Sequence, residues 1–366
     1  MSDRQISVVI LLANGSHAKG GIEKYAFYLI NQIEENHENI KITETISRKD
    51  LPGLLKHISI IPCFIRFCSF IFSKRVDIIH VNLAPRGSTF RKIPYIFVSK
   101  LTRKKIILHL HGGGYEDFFD KRSCIVRHII KFLFESADKV VILNDNSREF
   151  VTIKIGLLPE RVVALGNGVP AATEMAAPWH VIPTICFMGR LIPIKGIDIL
   201  LEAFGLLKQR GIDFRAVIGG DGDIDVFQRL AHGLGLDDEV EFLGWLNGQE
   251  VTRQYSMADI FVLSSRVENQ PMAILEAMAH RLPVVATDVG AVSSQVIDGT
   301  TGLVIAPGDA KILADALERL CRDPALRRTM GEAGYDRWQA HFSIATAATR
   351  MVDLYHELVT ESGRQP

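Results

Sequence analysis

The stretch Ile260-Phe-Val-Leu-Ser-Ser-Arg-Val-Glu-Asn-Gln-Pro-Met-Ala-Ile-Leu-Glu-Ala-Met-Ala-His280 decides the fold. Four apolar residues, Ile260–Leu263, read as a strand buried on both faces, and a polar loop follows them. Pro271 suits the first position of a helix, since its fixed φ is helical and it lacks an N–H that would go unpaired there. The spacing predicts a helix over 271–280. Strand, loop and helix in this order form half of a parallel α/β unit, and such sheets bind ligands at the carboxyl ends of their strands.

The same unit recurs on both sides of this stretch. Upstream, strands are expected at Ile6–Leu12, Val76–Val81, Lys105–Leu110 and Lys139–Leu143, with helices at Gly21–Glu35 and near Ser88–Leu101 and Cys124–Glu135. The alternation breaks at Gly166-Asn-Gly-Val-Pro170, and Ala- and Pro-rich sequence runs from there to Pro183. It then resumes, with strands at Thr184–Met188, Phe214–Ile218, Val240–Leu243, Ile260–Leu263, Pro283–Ala286 and Gly302–Ile305. Helices are expected at Ile197–Arg210, Asp223–Leu234, Gln249–Met257 and Ala310–Cys321, with a last helix from Ser343 to Glu361. The expected architecture is α/β, with two tandem Rossmann-like doubly wound domains facing across a cleft. Their bounds are 1–170 and 171–342, and 343–366 is a helix crossing back to the first domain. A chain of 366 residues exceeds what one ordinary core covers, which also points to two domains.

Hydrophobic residues make up 47% and charged residues 23%, a composition that excludes a disordered chain. The five cysteines are scattered, odd in number and without metal spacing, as expected of reduced thiols in a cytoplasmic protein. The start of the chain does not read as an export signal. The net charge of zero hides an asymmetry: residues 1–170 hold 25 Lys+Arg against 16 Asp+Glu, and the remainder 17 against 26. A basic first half faces something anionic or is simply solvated. No nucleic-acid motif is present, so an anionic membrane surface is the expected partner, with the protein peripheral on the inner face of the plasma membrane. The apolar run Ile58–Phe72 contains Pro62 and Arg66 and is too short to span a bilayer. It reads either as an interfacial helix or as a helix packed on a sheet.

Four clusters carry chemistry. Glu268 lies ahead of the 271–280 helix and Glu276 inside it, so two carboxylates reach different hydroxyls of one extended ligand near a positively polarised helix start. Gly189-Arg-Leu-Ile-Pro-Ile-Lys-Gly196 follows a strand and supplies two cations, Arg190 and Lys195, suited to a phosphate. Lys19-Gly-Gly-Ile-Glu23 follows the first strand, and its glycines allow close approach of backbone to ligand. His109-Leu-His111 ends a strand, where a histidine meets ligand; a metal would need a third ligand that is not evident. His80 is expected to be structural.

Taken in order, Gly20-Gly21-x-Glu23, His111-Gly112, Asn167-Gly168-Val169, Gly189-Arg190-x4-Lys195-Gly196, Gly219-Gly-Asp-Gly222 and Glu268-x7-Glu276 resemble the GT-B-fold retaining glycosyltransferases of family four along the whole chain. Ala277-Met-Ala279 and Pro283-Val-Val-Ala-Thr287 extend the most specific part. The segment His80-Val-Asn-Leu-Ala-Pro-Arg-Gly-Ser-Thr-Phe-Arg-Lys92 is similar to the bacterial exopolysaccharide and capsule enzymes of that family.

The resemblance implies a transfer of hexose from a nucleotide-diphosphate sugar to a lipid-diphosphate-linked glycan in surface polysaccharide biosynthesis. It implies that Arg190 and Lys195 bind the diphosphate, Glu276 the ribose and Glu268 the sugar hydroxyls. Asn269, Gln270, Pro271 and Met272 would contact the sugar or its phosphate through their backbone, Gly20 and Gly21 would approach the phosphates, Gly244 and Trp245 would flank the base, and His111 would sit beside the reaction centre. His111, Glu268, Arg190 and Lys195 form the catalytic set. No metal and no cofactor is implied. Asn269-Gln270 stands where many relatives have Gly-Phe or Gly-Leu, so contacts to the donor sugar differ here. Two other readings fit the architecture: a nucleotide-sugar epimerase of the same fold, and a non-enzymatic two-domain sugar-binding protein.

Overall fold

The computed structural model describes residues 5–17, 20–173 and 180–362; Lys19 and part of the Ala- and Pro-rich connection fall outside them. The chain divides into two compact units, one drawn from Met1–Gly168 and Ile344–Pro366, the other from Val169–Ser343.

The first unit carries strands β1 (Ile6–Leu12), β2 (Ile40–Ile46), β3 (Ile78–Leu83), β4 (Lys105–Leu110), β5 (Lys139–Ile142) and β6 (Val162–Ala164). They form one parallel sheet in the order β2-β1-β3-β4-β5-β6. Its helices are α1 (Gly21–Asn36), α2 (Leu55–Ile58), α3 (Ile60–Ser73), α4 (Gly87–Leu101), α5 (Tyr115–Asp120) and α6 (Cys124–Glu135). The central strand β3 is buried at every position, as a strand covered on both faces must be. Two strands escaped the sequence reading. In β2 every second residue is polar and half exposed, and β6 has only three residues, so neither shows the unbroken apolar run of an inner strand. The third strand begins two residues later than expected, at Ile78, and the Asp77 carboxylate ahead of it accepts from the Ser7 N–H at 2.9 Å.

Leu55–Ser73 is long and apolar enough to cross a membrane by composition. In the structure it forms α2 and α3, separated at Ser59, and it packs on the first unit. Cys63, Phe67 and Ile71 are buried, and the Phe67 ring lies 4.9 Å from Tyr95 of α4. The opposite face of the same helix leaves Ile61 and Ile65 exposed.

The second unit repeats the plan with β7 (Thr184–Met188), β8 (Arg215–Gly219), β9 (Val240–Gly244), β10 (Ile260–Leu263), β11 (Val284–Thr287) and β12 (Gly302–Ile305). This sheet is also parallel, in the order β12-β11-β10-β7-β8-β9. Around it stand α7 (Ile197–Gln209), α8 (Ile224–Gly233), α9 (Gly248–Met257), α10 (Met272–Ala279), the short α11 (Val292–Gln295), α12 (Ala310–Arg322) and α13 (Pro324–His341). Pro271 is the N-cap of α10 in an extended conformation rather than its first helical residue, so the helix opens at Met272. Helix α13 was not expected. Its pattern is masked by charge, because Arg327 is fully buried and donates to the Leu320 and Cys321 carbonyls that end α12.

The last helix, α14 (Ile344–Ser362), belongs to the first unit and packs on α1 and β1. Lys139 pairs with its Glu357 at 2.6 Å, and Tyr355 enters the first core.

Candidate active site

In the second unit, Arg190, Lys195, Gly244, Trp245, Glu268, Asn269, Gln270 and Pro271 lie at the carboxyl ends of β7, β9 and β10 or in the loops that follow, and Met272 and Glu276 lie in the helix after the β10 loop. Strand order makes β7 and β10 neighbours, which brings the Gly189–Gly196 loop against the Ser264–Pro271 loop. The Ser264 hydroxyl donates to the Lys195 carbonyl at 3.0 Å, and the Arg266 N–H donates to the Ile194 carbonyl at 2.8 Å. Arg266 also forks onto Asp198 of α7, at 2.9 and 2.6 Å, and holds that carboxyl below its ordinary range. Gly196, at φ +66°, passes so close that a Cβ there would stand 2.1 Å from the Ser264 carbonyl oxygen.

This stitching brings Lys195 and Glu268 together across 73 positions. The Lys195 Nζ donates to Glu268 Oε1 at 2.5 Å, and the Ser265 hydroxyl donates to the same oxygen at 2.7 Å. The pair is partly covered, so its attraction is screened less than that of a surface pair. An ammonium has three N–H donors and a carboxylate about four acceptor sites, so each keeps capacity for a ligand. The backbone bearing Glu268 is held in turn: the Ala291 N–H donates to the Asn269 carbonyl at 2.7 Å, and Gly290 lies against the Glu268 carbonyl.

Arg190 is exposed, with Asp221 of the Gly219–Gly222 loop 3.7 Å away, a distance that leaves its guanidinium able to turn to a ligand. Glu276 is the fifth residue of α10, is buried, and accepts from the Tyr255 hydroxyl at 3.4 Å. Gln270, Pro271 and Met272 are buried at the helix start, and Trp245 is exposed in the loop after β9. Ser265, Arg266, Asp198, Tyr255 and Gly290 were not singled out in sequence. Their importance comes from loop contacts between distant positions, for which no local pattern exists.

Gly20, Gly21 and His111 lie in the first unit. Gly20, at φ +142°, precedes the first turn of α1, where its missing side chain leaves room for the Glu23 carboxylate. Glu23 is buried, and burial raises its carboxyl above the ordinary range.

His111 follows β4 within a buried polar cluster. The His111 Nε2 lies 2.6 Å from the Asn82 Oδ1 of β3, and its ring lies 3.9 Å from that of His109, tilted by 32°. His109 Nδ1 meets His80 Nε2 at 3.1 Å, and His80 Nδ1 meets the Tyr355 hydroxyl of α14 at 2.7 Å. Burial pushes His80 down to about 3, and burial with neighbouring His and Lys charge holds His109 and His111 well below the usual histidine range. All three imidazoles are therefore neutral near pH 7.

Residues 182–337, nearly the whole second unit, match the family described as glycosyl transferases group 1. The alpha-D-kanosaminyltransferase of Streptomyces kanamyceticus is 36% identical over 284 residues, covering 72% of this chain and 73% of that protein. A D-inositol 3-phosphate glycosyltransferase of Corynebacterium aurimucosum is 36% identical over 197 residues, 52% of this chain and 46% of its own. Among solved structures, a sucrose-phosphate synthase from Thermosynechococcus elongatus superposes with a TM-score of 0.80 at 21% identity, over 98% of this chain and 100% of that one. The Anabaena protein Alr3699/HepE in complex with UDP gives 0.75 at 17% identity, over 96% of this chain and 100% of that one. Both structural likenesses speak to the fold, which is GT-B.

Proposed function

The chain belongs to the glycosyl transferases of group 1, and from that premise we propose that it moves a hexose from a nucleotide-diphosphate sugar to a lipid-linked glycan acceptor, with retention of anomeric configuration and without a divalent metal. The observation that carries the donor reading is the Lys195–Glu268 pair, fixed at the loop ends of two adjacent strands with Arg190 in the same loop as Lys195. A leaving nucleoside diphosphate gains negative charge as the glycosidic bond breaks, so cations set in advance where that charge develops stabilise the transition state more than the ground state. Arg190 and Lys195 take this role, which in other enzymes a metal ion fills. Glu268 receives the sugar hydroxyls, Glu276 the ribose, and the N-terminal turn of α10 the sugar or its phosphate. Gly244 and Trp245 flank the base, Gly20 and Gly21 approach the phosphates, and His111 stands beside the anomeric carbon. The acceptor hydroxyl attacks from the side on which the diphosphate leaves, and a phosphate oxygen of the leaving group takes its proton. Binding of UDP by a protein of the same fold supports the donor class.

Incubation with a panel of nucleotide sugars tests the assignment. Release of nucleoside diphosphate is expected with one or a few donors, to depend on acceptor, and to persist in excess EDTA. Activity abolished by EDTA and restored by magnesium would refute the metal-free part alone.

The first unit supports a peripheral place on the cytoplasmic face of the plasma membrane. Helices α3, α4 and α6 are neighbours and expose large apolar side chains: Ile61 and Ile65 of α3, Phe97 and Leu101 of α4, Ile125 and Phe132 of α6. Besides the buried Lys92, helices α2, α3, α4 and α6 together hold six Lys or Arg and a single acid, Glu135. Apolar side chains beside cations match the interface of an anionic bilayer, where each basic residue is worth roughly 1 kcal/mol. Replacing Arg103 and Lys104, which follow α4, with glutamine should therefore weaken binding to phosphatidylserine vesicles by about 30-fold. Lys105 is left out because it holds Asp138 at 3.1 Å. Unchanged vesicle binding in a co-sedimentation assay would remove the membrane reading.

A further inference from the structure

We infer that Asn82 is a positioning residue for His111, holding its imidazole as the Nε2–H tautomer so that Nδ1 carries the lone pair and accepts a hydrogen bond from a hydroxyl of donor or acceptor. This rests on the reading that His111 stands beside the reaction centre. An amide oxygen only accepts, so at 2.6 Å from Asn82 Oδ1 the Nε2 atom must bring the proton. The reverse tautomer loses that buried bond and sets two lone pairs against each other among side chains shielded from solvent.

Asn82 is itself fixed. It is the fifth residue of β3 and only 2% exposed. Its backbone carbonyl accepts from the Nζ of Lys92, which also reaches the Ser88 hydroxyl at 3.1 Å. Lys92 is fully buried on α4, and burial brings its ammonium down to about 7. The His111 ring is held from other sides by His109, 3.9 Å away, and by Tyr25 of α1 at 5.7 Å. His109 is bonded onward through His80 to Tyr355, so the last helix of the chain supports the same imidazole. A ring so enclosed neither turns over nor charges readily. It offers a fixed acceptor to a substrate hydroxyl other than the attacking one, and it does not serve as an acid.

The test compares Asn82→Leu, which removes the acceptor at similar volume, with Asn82→Asp, which keeps an acceptor and adds charge. In the wild-type enzyme, 15N spectra of histidine-labelled protein should show His111 protonated at Nε2 alone, its signals identified by their loss in His111→Gln. In Asn82→Leu the tautomers should mix, with kcat down on the order of 10- to 100-fold and the donor KM changed little. In Asn82→Asp the Nε2–H tautomer should persist. A carboxylate beside the ring favours the imidazolium, so kcat should recover towards alkaline pH and fall on an acid limb that the wild type lacks. An Asn82→Leu chain that does not fold leaves the Asn82→Asp profile and the wild-type spectrum to decide. A wild-type His111 protonated at Nδ1 overturns the inference, as does an Asn82→Asp enzyme with the wild-type pH profile. Full kcat in His111→Ala would instead overturn the placement of His111 at the reaction centre, while the spectrum still reports on the tautomer.

Discussion

Lys195→Ala should lower kcat/KM for the nucleotide-sugar donor by a factor on the order of 10²–10³, with the fold retained. Lys195 ends the short turn Pro193–Lys195 and carries its charge on a flexible stem, yet its Nζ is held 2.5 Å from Glu268. Alanine removes the cation from the developing diphosphate and also leaves Glu268 without its counter-charge, its carboxylate then bonded to Ser265. The loss is expected mainly in kcat, because charge builds on the diphosphate only as the bond to the sugar breaks. Glu276→Ala in the same series should act on KM instead, since a ribose contact is equally strong in the ground and transition states. Steady-state kinetics with circular dichroism checks both. A Lys195→Ala enzyme within threefold of wild-type kcat/KM would end the assignment of the diphosphate to this loop.

Gly196→Ala should both destabilise the second unit and disable the Lys195–Glu268 pair. The backbone at Gly196 has φ +66°, which costs a residue bearing Cβ about 1 kcal/mol or more, and the new carbon would stand 2.1 Å from the Ser264 carbonyl oxygen. That oxygen belongs to the backbone of the neighbouring loop and has no rotamer through which to retreat. Relieving the overlap means parting the two loops, for roughly 1–3 kcal/mol of further overpacking, and Lys195 parts from Glu268 with them. The expected result is a clear drop in melting temperature together with a loss of activity at least as large as that of Lys195→Ala. Gly211→Ala is the control. It has φ +69° but nothing within 4 Å of its added carbon, so it carries the backbone strain without the collision. Equal melting temperatures for the two variants would mean that the loops are not clamped at Gly196.

Much of the fold was legible because inner parallel strands announce themselves. Ile6–Leu12, Lys105–Leu110, Thr184–Met188 and Ile260–Leu263 have the bounds that apolar runs between turn signals imply. Elements whose burial is one-sided or interrupted were not legible. The edge strand β2 alternates Ile with Lys, Thr and Glu, and α13 spends an arginine on capping α12 from inside the core. The run Ile58–Phe72 admitted two readings, and α3 has features of both: Phe67 and Ile71 pack inward while Ile61 and Ile65 face outward. A composition average cannot separate two faces of one helix.

What the sequence determined by itself is the repeated strand–loop–helix grammar and the residue types at each strand end, Arg190 and Lys195 after one strand, Glu268 after another, His111 after a third. Local propensity and hydrophobic period act over a few residues, and these features are local. Which strand ends become neighbours is a property of the order β12-β11-β10-β7-β8-β9, in which β7 lies beside a strand 75 positions later, Ile185 pairing with Ile260. Only that ordering sets Lys195 on Glu268, and only β3 lying beside β4 sets Asn82 on His111. Pairings of this kind are decided by how whole sheets bury their faces, which no window of sequence contains.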